Sequence, residues 1–562
     1  MRLEPNPLKT LNVDLGAGLA LALVSIPGGL AYALVAGVNP IYGVYTSMVA
    51  TVVAALIGSS SLMVVTLTNA LALVTADQIL DYTGEVETVR VLMTLTFLTG
   101  VMMALLGALN LGSVIRFVSK EVMAGFIFAT ALLIVLGQLK DLVGYASLRD
   151  GNKLVKAADI LRHAADWTWP AALLGFAAIA ALFALKATRL ARFSDIIVIV
   201  AVSLVVLLPA FASVQTVADI ADVPRGLAAL PAPILPDFSV VPLLLGGAFA
   251  ATVVGLSESS GLAAAYPNPN GTRSNVSRDF LGQGCANIVG AFFHGMPASG
   301  SLSRTGIVAG AGARTRFANI YSGLLLAVIL VLFGNGAEYI PLTGLAALLT
   351  VVGLTVTIRE GQVLIRAWRT SLAGTLIALT TIVVGVLDDL TAAIFAGVIL
   401  SLLLETVRAA RRFRVVELVR DPDGHWREQP APREVPPGKV TVIDLRGTLN
   451  FASYYDFDSL LPRPDTGADA VLILRLRDRE VESLTSIEWL ETYVDKMARA
   501  GGRVVLSEVT EATLAVLKAT GAEVRLGAAN IYPATDVFYD ATERAVAEAT
   551  SPAPKTPDAA VI

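Results

Sequence analysis

A single cysteine, Cys285, stands among 562 residues, so no intramolecular disulfide can staple this chain. Charge is scarce as well: 16% of the residues are Asp, Glu, Lys or Arg, where a soluble protein of this length carries about a quarter. With only three histidines there is no His/Cys metal cluster. A Ser/His/Asp nucleophilic set and a GxxxxGK[ST] phosphate loop are likewise missing. The chain is therefore not expected to be an enzyme, to be driven directly by ATP, or to hold a metal or cofactor. The net charge of -4 says little for so apolar a chain, and no nucleic-acid partner is expected.

Hydrophobic residues make up 55% of the chain. Runs of about 20 mostly apolar residues, the length that crosses a bilayer as a helix, recur from 13–35 through to 391–407. Two further pieces, LMVVTLTNALALVTA (62–76) and SLSRTGIVAGAG (301–312), are too short and polar for ordinary spans and read as half-penetrating elements. Together they give about fourteen crossings, an even count that puts both termini on one side. The first apolar segment outruns the h-region of a cleavable signal peptide.

Lys and Arg collect in short cytoplasmic loops. With the N-terminus inside, the inner connections hold Arg116, Lys120, Lys186, Arg189, Arg192, Arg273, Arg278, Arg314, Arg316, Arg359, Arg366, Arg369, Arg408, Arg411, Arg412 and Arg414. The outer loops are acidic, with Asp77, Asp81, Glu85, Glu87, Asp219, Asp222, Asp388 and Asp389. A loop at 140–162 runs against the rule, its basic residues offset by Asp141, Asp150 and Asp159. The expectation is a multi-pass protein of the cell inner (plasma) membrane with both termini in the cytoplasm.

Composition changes abruptly after Arg414, so 1–414 reads as the membrane domain. The polar, proline-rich stretch 415–438 reads as a linker. Beyond it KVTVIDLRG, AVLILRLRD and RVVLSEV read as strands. FASYYDFDSLLP, SLTSIEWLETYVDKMARAGG and EATLAVLKATGA read as helices, giving a small α/β domain over 439–548. Ile487, Leu490, Val494 and Met497 share one face of the helix over 484–500, as core packing requires. A disordered tail is expected at 549–562.

Polar residues inside the membrane carry the functional reading, because ionisable groups there are costly and face the protein interior. Glu258, in GLSESSGLAAAY, lies deep in an apolar run among Ser257, Ser259 and Ser260, which favours a hydrated cavity. Breaks fall at corresponding places in two halves, about 8–215 and 238–414: SIPGGLAYA and TLTNA in the first, LSESSGLAAA and PASGSLSRT in the second. This order suggests an inverted repeat of seven plus seven segments.

A helix that starts at mid-membrane near Ser301 leaves its first N–H groups unpaired, with about half a positive charge from its dipole, and so binds anions. Ser299, Ser301 and Ser303 would supply hydroxyls and caps, Gly300 close backbone approach, and Arg304 full positive charge. A second short helix beginning near Thr66 to Asn69 would oppose it with its own N-terminus. The structural alternative pairs Arg304 with Glu258. His294, a candidate proton carrier, is more simply read as structural.

PGGLAYALVAGVNPIYGVY, GLSESSGLAAAY and GQGCANIVGAFFHGMPASGSLSRTGIVAGAGART resemble the SulP (sulfate permease) family of anion transporters, over nearly the whole chain. The resemblance implies an α-helical polytopic membrane protein with a 7+7 uracil-permease-like inverted repeat. The resemblance also implies a cytoplasmic α/β STAS domain and, as is usual in the family, a homodimer. It implies a core of segments one to four and eight to eleven that moves against a gate, with a small anion held near Thr68, Asn69, Ser299, Gly300, Ser301, Ser303 and Arg304. Glu258 matches the acidic residue tied to coupling by H+ or Na+.

Departures bear on the substrate: Pro27-Gly28 stands where many relatives have Pro-Gln, LTNA replaces a Gly-Pro opening, and Arg278-Asp279 replaces Gln-Glu. In the STAS-like part Glu482-Ser483-Leu484-Thr485 stands where phosphorylated relatives carry Asp-Ser-Ser-Gly, which argues against that modification. The function expected is secondary active transport of a small anion such as sulfate, bicarbonate or a dicarboxylate. The alternatives are a nucleobase-type transporter on the same fold and an anion sensor signalling through STAS.

Overall fold

A computed structural model describes residues 7–79, 84–112, 118–221, 224, 226–411, 414–446, 460–464, 467–477 and 484–551. The expectations for Asp81, Arg116, Asp222, Arg412, Glu482-Ser483, most of FASYYDFDSLLP and 552–562 lie outside these residues. The chain divides into two compact units, Met1–Ser401 and Leu402–Ile562.

In hydrocarbon every backbone N–H and C=O must be satisfied inside the protein, so charge-poor runs become helices. The first repeat comprises α1 (Pro7–Ala36), α2 (Ile41–Ile57), β1 (Val65–Thr66), α3 (Asn69–Ile79), α4 (Glu85–Ala108), α5 (Lys120–Val143), α6 (Lys153–Arg162), α7 (Trp169–Lys186) and α8 (Ser194–Val206). The second comprises α9 (Val241–Ser260), the single turn α10 (Leu262–Ala265), α11 (Val276–Ala291), β2 (Ser299–Gly300), α12 (Leu302–Gly310), α13 (Phe317–Phe333), α14 (Leu342–Thr370), α15 (Leu372–Leu387) and α16 (Leu390–Arg411). Among the described residues eight helices are long and apolar enough to cross a bilayer, and α2, α8 and α15 are shorter apolar helices.

Contacts between the repeats are exchanged as an inverted repeat requires. The fourth segment, α4, packs on α9 and α11, while the eleventh, α13, packs on α1 and α2. These eight segments form one bundle. The others form a second, in which α5 packs on α14 and α15, and α7 on α14. The division is the expected one between core and gate. The stretch 140–162 is not a plain loop: it contains α6, whose N-terminus is capped by Asn152 accepting from Val155 N at 3.1 Å. Ala157 and Ile160 bury its apolar face.

Membrane helices gain little from hydrophobicity against lipid and associate by close packing of small residues. A Cβ built at Gly284 of α11 would lie 2.3 Å from Ala104 N of α4, and one at Gly107 would lie 2.4 Å from Leu281 N. These obstacles are backbone and cannot swing aside. Gly284→Leu should therefore destabilise the core by about 1–3 kcal/mol or more, read as a lower melting temperature in detergent.

Asp279, in the first turn of α11, anchors the chain that leaves α2. Its Oδ1 accepts from Ser59 N at 2.6 Å, Ser60 N at 2.9 Å and Ser59 Oγ at 2.9 Å, and its Oδ2 accepts from the Ser60 hydroxyl. Asp14 does the same between α12 and α13, accepting from Arg314 N at 2.8 Å and Thr315 Oγ1 at 2.7 Å. A hydrogen bond to a charged group contributes about 1.5–3 kcal/mol. Asp279→Ala should lower the melting temperature, and Asp279→Asn should recover only part of the loss, because an amide accepts through one oxygen.

The second unit is a six-stranded sheet in the order β4-β3-β5-β6-β7-β8. Its elements are β3 (Arg414–Arg420), β4 (Trp426–Pro430), β5 (Val440–Arg446), β6 (Val471–Arg475), α17 (Leu484–Arg499), β7 (Arg503–Val509), α18 (Glu511–Thr520), α19 (Ala522–Leu526), β8 (Ile531–Pro533) and α20 (Asp540–Thr550). The stretch 415–438 is thus not a linker but supplies an antiparallel hairpin, β3–β4, with β3 also pairing β5. Strands β5 to β8 run parallel.

Ile487, Leu490 and Met497 of α17 are buried in the domain core. Asp444, Arg475 and Glu508 form a buried ionic chain across β5, β6 and β7, with contacts of 3.0 and 3.2 Å. Helix α20 reaches Thr550, two residues into the stretch expected as tail. One set of potential metal ligands, Asp421, Asp423 and His425, gathers in the β3–β4 turn, where Asp421 is already engaged by Arg427 and the His425 amide.

Candidate functional site

Two extended dipeptides meet inside the first unit. β1 and β2 pair antiparallel in the register Val65↔Gly300 and Thr66↔Ser299, with Ser301 N donating to Val64 O at 2.8 Å. Non-helical backbone at membrane depth needs partners for every polar group, and buried side chains supply them. Val64 N donates to Thr305 Oγ1 at 3.0 Å, and Thr51 Oγ1 donates to Val65 O at 2.9 Å. Asn319 Nδ2 donates to Met63 O at 3.0 Å. On the β2 side Asn287 exchanges two hydrogen bonds with Ala298, at 2.7 and 2.8 Å, and Gly300 N donates to Gln283 Oε1 at 3.1 Å.

The braced pair fixes where α3 and α12 begin, so two helix N-termini open on one region. Thr68 Oγ1 accepts from Leu71 N at 3.4 Å at the start of α3, and Ser301 Oγ accepts from Arg304 N at 3.5 Å at the start of α12. Both termini line a cavity of about 540 Å³ whose walls include Thr68, Asn69, Gly300, Ser301, Ser303, Arg304 and Glu258. All the expected site residues except Ser299 therefore come together. Ser299 is fully buried and does not line the cavity; its hydroxyl donates to Glu258 Oε2 at 3.1 Å. Thr68 Oγ1 donates to the same oxygen at 2.9 Å, so Glu258 links the starts of both short helices.

Arg304 is 5% exposed and, among the described residues, takes no carboxylate partner. Its guanidinium donates to Thr66 Oγ1, to Ser47 Oγ at 3.5 Å and to Leu67 O at 3.4 Å, and stands 5.9 Å from the Tyr32 ring centroid. The alternative ion pair with Glu258 is not formed. Asn69 Nδ2 is buried and unpartnered. The site thus holds a buried cation, a free amide donor and two positive helix ends, with one carboxylate held by neutral hydroxyls. His294 is elsewhere, its ring 5.2 Å from that of Tyr42.

Several wall residues were not among the expected site residues. Gly28 of α1 has a clear role: a Cβ there would lie 2.7 Å from Arg304 Nη2, so the absent side chain makes room for the guanidinium. SIPGGLAYA marked the break but not this partner. Tyr32, Lys186, Asp195, Tyr266 and Arg359 complete the polar lining. No spacing rule links Lys186 or Arg359 to a site built from α3 and α12. The braces Gln283 and Asn287 lie in the GQGCANIVG stretch, where an i, i+4 amide pair in an apolar helix was the available signal.

The described geometry matches known proteins over most of the chain. Residues 11–381 match the model of the "Sulfate permease family". "Sulfate transporter 4.1, chloroplastic" of Arabidopsis thaliana is 27% identical over 343 residues, covering 60% of this chain and 50% of that protein. The chain thus spans about half the length of that relative. "Sulfate anion transporter 1" of Mus musculus is 26% identical over 503 residues, covering 81% of this chain and 71% of that protein. The murine Solute Carrier 26 family member A9 anion transporter, solved in the inward-facing state, superposes with a TM-score of 0.83 at 20% identity, covering 95% of this chain and 91% of that one. The family model spans well over half of the residues, and the chain belongs to the sulfate permease family.

Proposed function

We propose that the protein is a secondary active transporter of a small anion, coupled to H+ or Na+, in which the core carries the site past the gate. The observation that carries this reading is Arg304: a buried charge in a membrane chain is costly unless compensated, and among the described residues no carboxylate, the cavity's Asp195 included, forms an ion pair with Arg304. A bound anion would supply the missing charge and would accept from Asn69 Nδ2. Thr68, Asn69, Gly300, Ser301, Ser303 and Arg304 then form the substrate site, Ser299 supports it through Glu258, and Glu258 is the coupling group. A neutral nucleobase would leave Arg304 uncompensated.

Of the residues that line the cavity, Lys186 ends α7 and Arg359 lies in the second half of α14, in stretches that the distribution of basic residues assigns to the cytoplasmic side. The cavity therefore opens inward, with both termini in the cytoplasm of a cell whose inner membrane holds the protein as a homodimer.

The test is lumenal pH in dye-loaded proteoliposomes as sulfate, bicarbonate, fumarate, nitrate and chloride are added one at a time, with and without Na+. Uptake of one anion with a coupled H+ or Na+ flux supports the reading. Anion binding without flux in sealed vesicles would favour a sensor instead.

A further inference from the structure

Glu258 and Arg304 both sit on core segments, α9 and α12, so their relation is unchanged when the core moves as a body. The cavity they share also has walls from the gate, and Arg359 of α14 is one of them. Arg359 is fastened within the gate: its Nε and Nη2 each lie 2.8 Å from Glu360 Oε1. Glu360 is 8% exposed and lines a second cavity of about 320 Å³ with Lys120 of α5 and with Ser257 and Ser260 of α9. The guanidinium is thus held at a fixed place on α14, half exposed to the path that Glu258 faces.

The titratable and charged groups around Glu258 come from every neighbouring element: Tyr32 from α1, Lys186 from α7, Asp195 from α8, Tyr266 after α10, Arg304 from α12 and Arg359 from α14. Lys186 and Asp195 carry opposite charges. Among the basic groups of this cavity, Arg359 is the one on the gate that an adjacent carboxylate holds in place.

We propose that Arg359 is a stationary counter-charge on the gate that releases the proton from Glu258 when the core carries it to the cytoplasmic side. This rests on the reading of coupled transport given above. A nearby cation favours the ionised form of a carboxylic acid. As protonated Glu258 comes opposite Arg359, its O–H bond breaks, the electron pair stays on the carboxylate oxygen, and the proton passes to cavity water and the cytoplasm. Arg359 gains and loses no proton. On return of the core, Glu258 leaves Arg359 behind and takes up a proton on the other side. Glu360 is a positioning residue that keeps the guanidinium from following.

The experiment compares wild type, Arg359→Gln, Arg359→Lys and Glu360→Gln in dye-loaded proteoliposomes, with sulfate, fumarate and nitrate as probes and lumenal pH varied. Wild type should acidify the lumen during uptake of at least one probe. Arg359→Gln should lose concentrative uptake at neutral lumenal pH and recover it when the lumen is made alkaline, a shift of the profile by about one pH unit or more. Arg359→Lys should keep most of the wild-type profile, and Glu360→Gln should fall between. A wild-type profile in Arg359→Gln overturns the proposal. So does a loss that neither alkaline lumen nor lysine restores, since that marks a structural role. No acidification by wild type with any probe overturns proton coupling itself and this proposal with it.

Discussion

Arg304→Met is expected to abolish anion binding while leaving the unliganded protein as stable as the wild type. Removing one member of a buried charge pair costs about 2–5 kcal/mol in affinity, about thirty- to several-thousandfold. The stability half follows from the hydrogen bonds. Thr66 and Ser47 hydroxyls bond each other at 2.9 Å, and Ser47 also donates to Gly43 O at 3.0 Å, so neither is orphaned when the guanidinium goes. Without a partner in the empty site, the buried cation is itself a burden, and apolar replacements of buried charges are often neutral or stabilising. Thermal melts with increasing anion check both halves. Wild type should gain about 2.7 kcal/mol at a hundred times Kd, and Arg304→Met should gain nothing from a baseline at or above wild type. A variant that melts lower without anion and still responds to it would sink the assignment.

Glu258→Gln is the second large effect, and its sign differs by readout. The amide oxygen of glutamine can accept from Thr68 and Ser299 as the carboxylate Oε2 does, so the starts of α3 and α12 stay linked. What is lost is the titratable charge. The variant should bind anion and exchange it across the membrane while ion-coupled accumulation falls to the leak level. Exchange and concentrative uptake measured on the same vesicles separate the two, and undiminished accumulation would remove Glu258 from the coupling step.

Much of this was legible from residues. Scarce charge in long apolar runs marked the spans, and PASGSLSRTG could only be accommodated at depth as a helix start beside a cavity. The hairpin β3–β4 was hidden by proline: in DPDGHWREQPAPREVPPG the composition of a linker outweighed the Asp-Gly turn between two short alternating stretches. The braces and the gate charges were illegible for another reason. Gln283 reaches Gly300 from 17 positions away, and Arg359 lines the cavity of Glu258 only because α14 packs beside α1 of the core. Local pattern carries the axis of a helix and its apolar face, whereas partners on other segments depend on how the bundle closes.

The β1–β2 pairing also constrains how the chain is made. Met63 O, Val64 N and Val64 O belong to the half synthesised first, and their partners Asn319, Thr305 and Ser301 emerge more than two hundred positions later, by their separations of 256 and 241 residues. Until then these groups would lie in hydrocarbon at several kcal/mol apiece. The nascent first half therefore has reason to stay near water or a helper protein at this point. The hydrogen bonding of this element is complete only once the second half has been made, which ties the two repeats together in assembly as well as in structure.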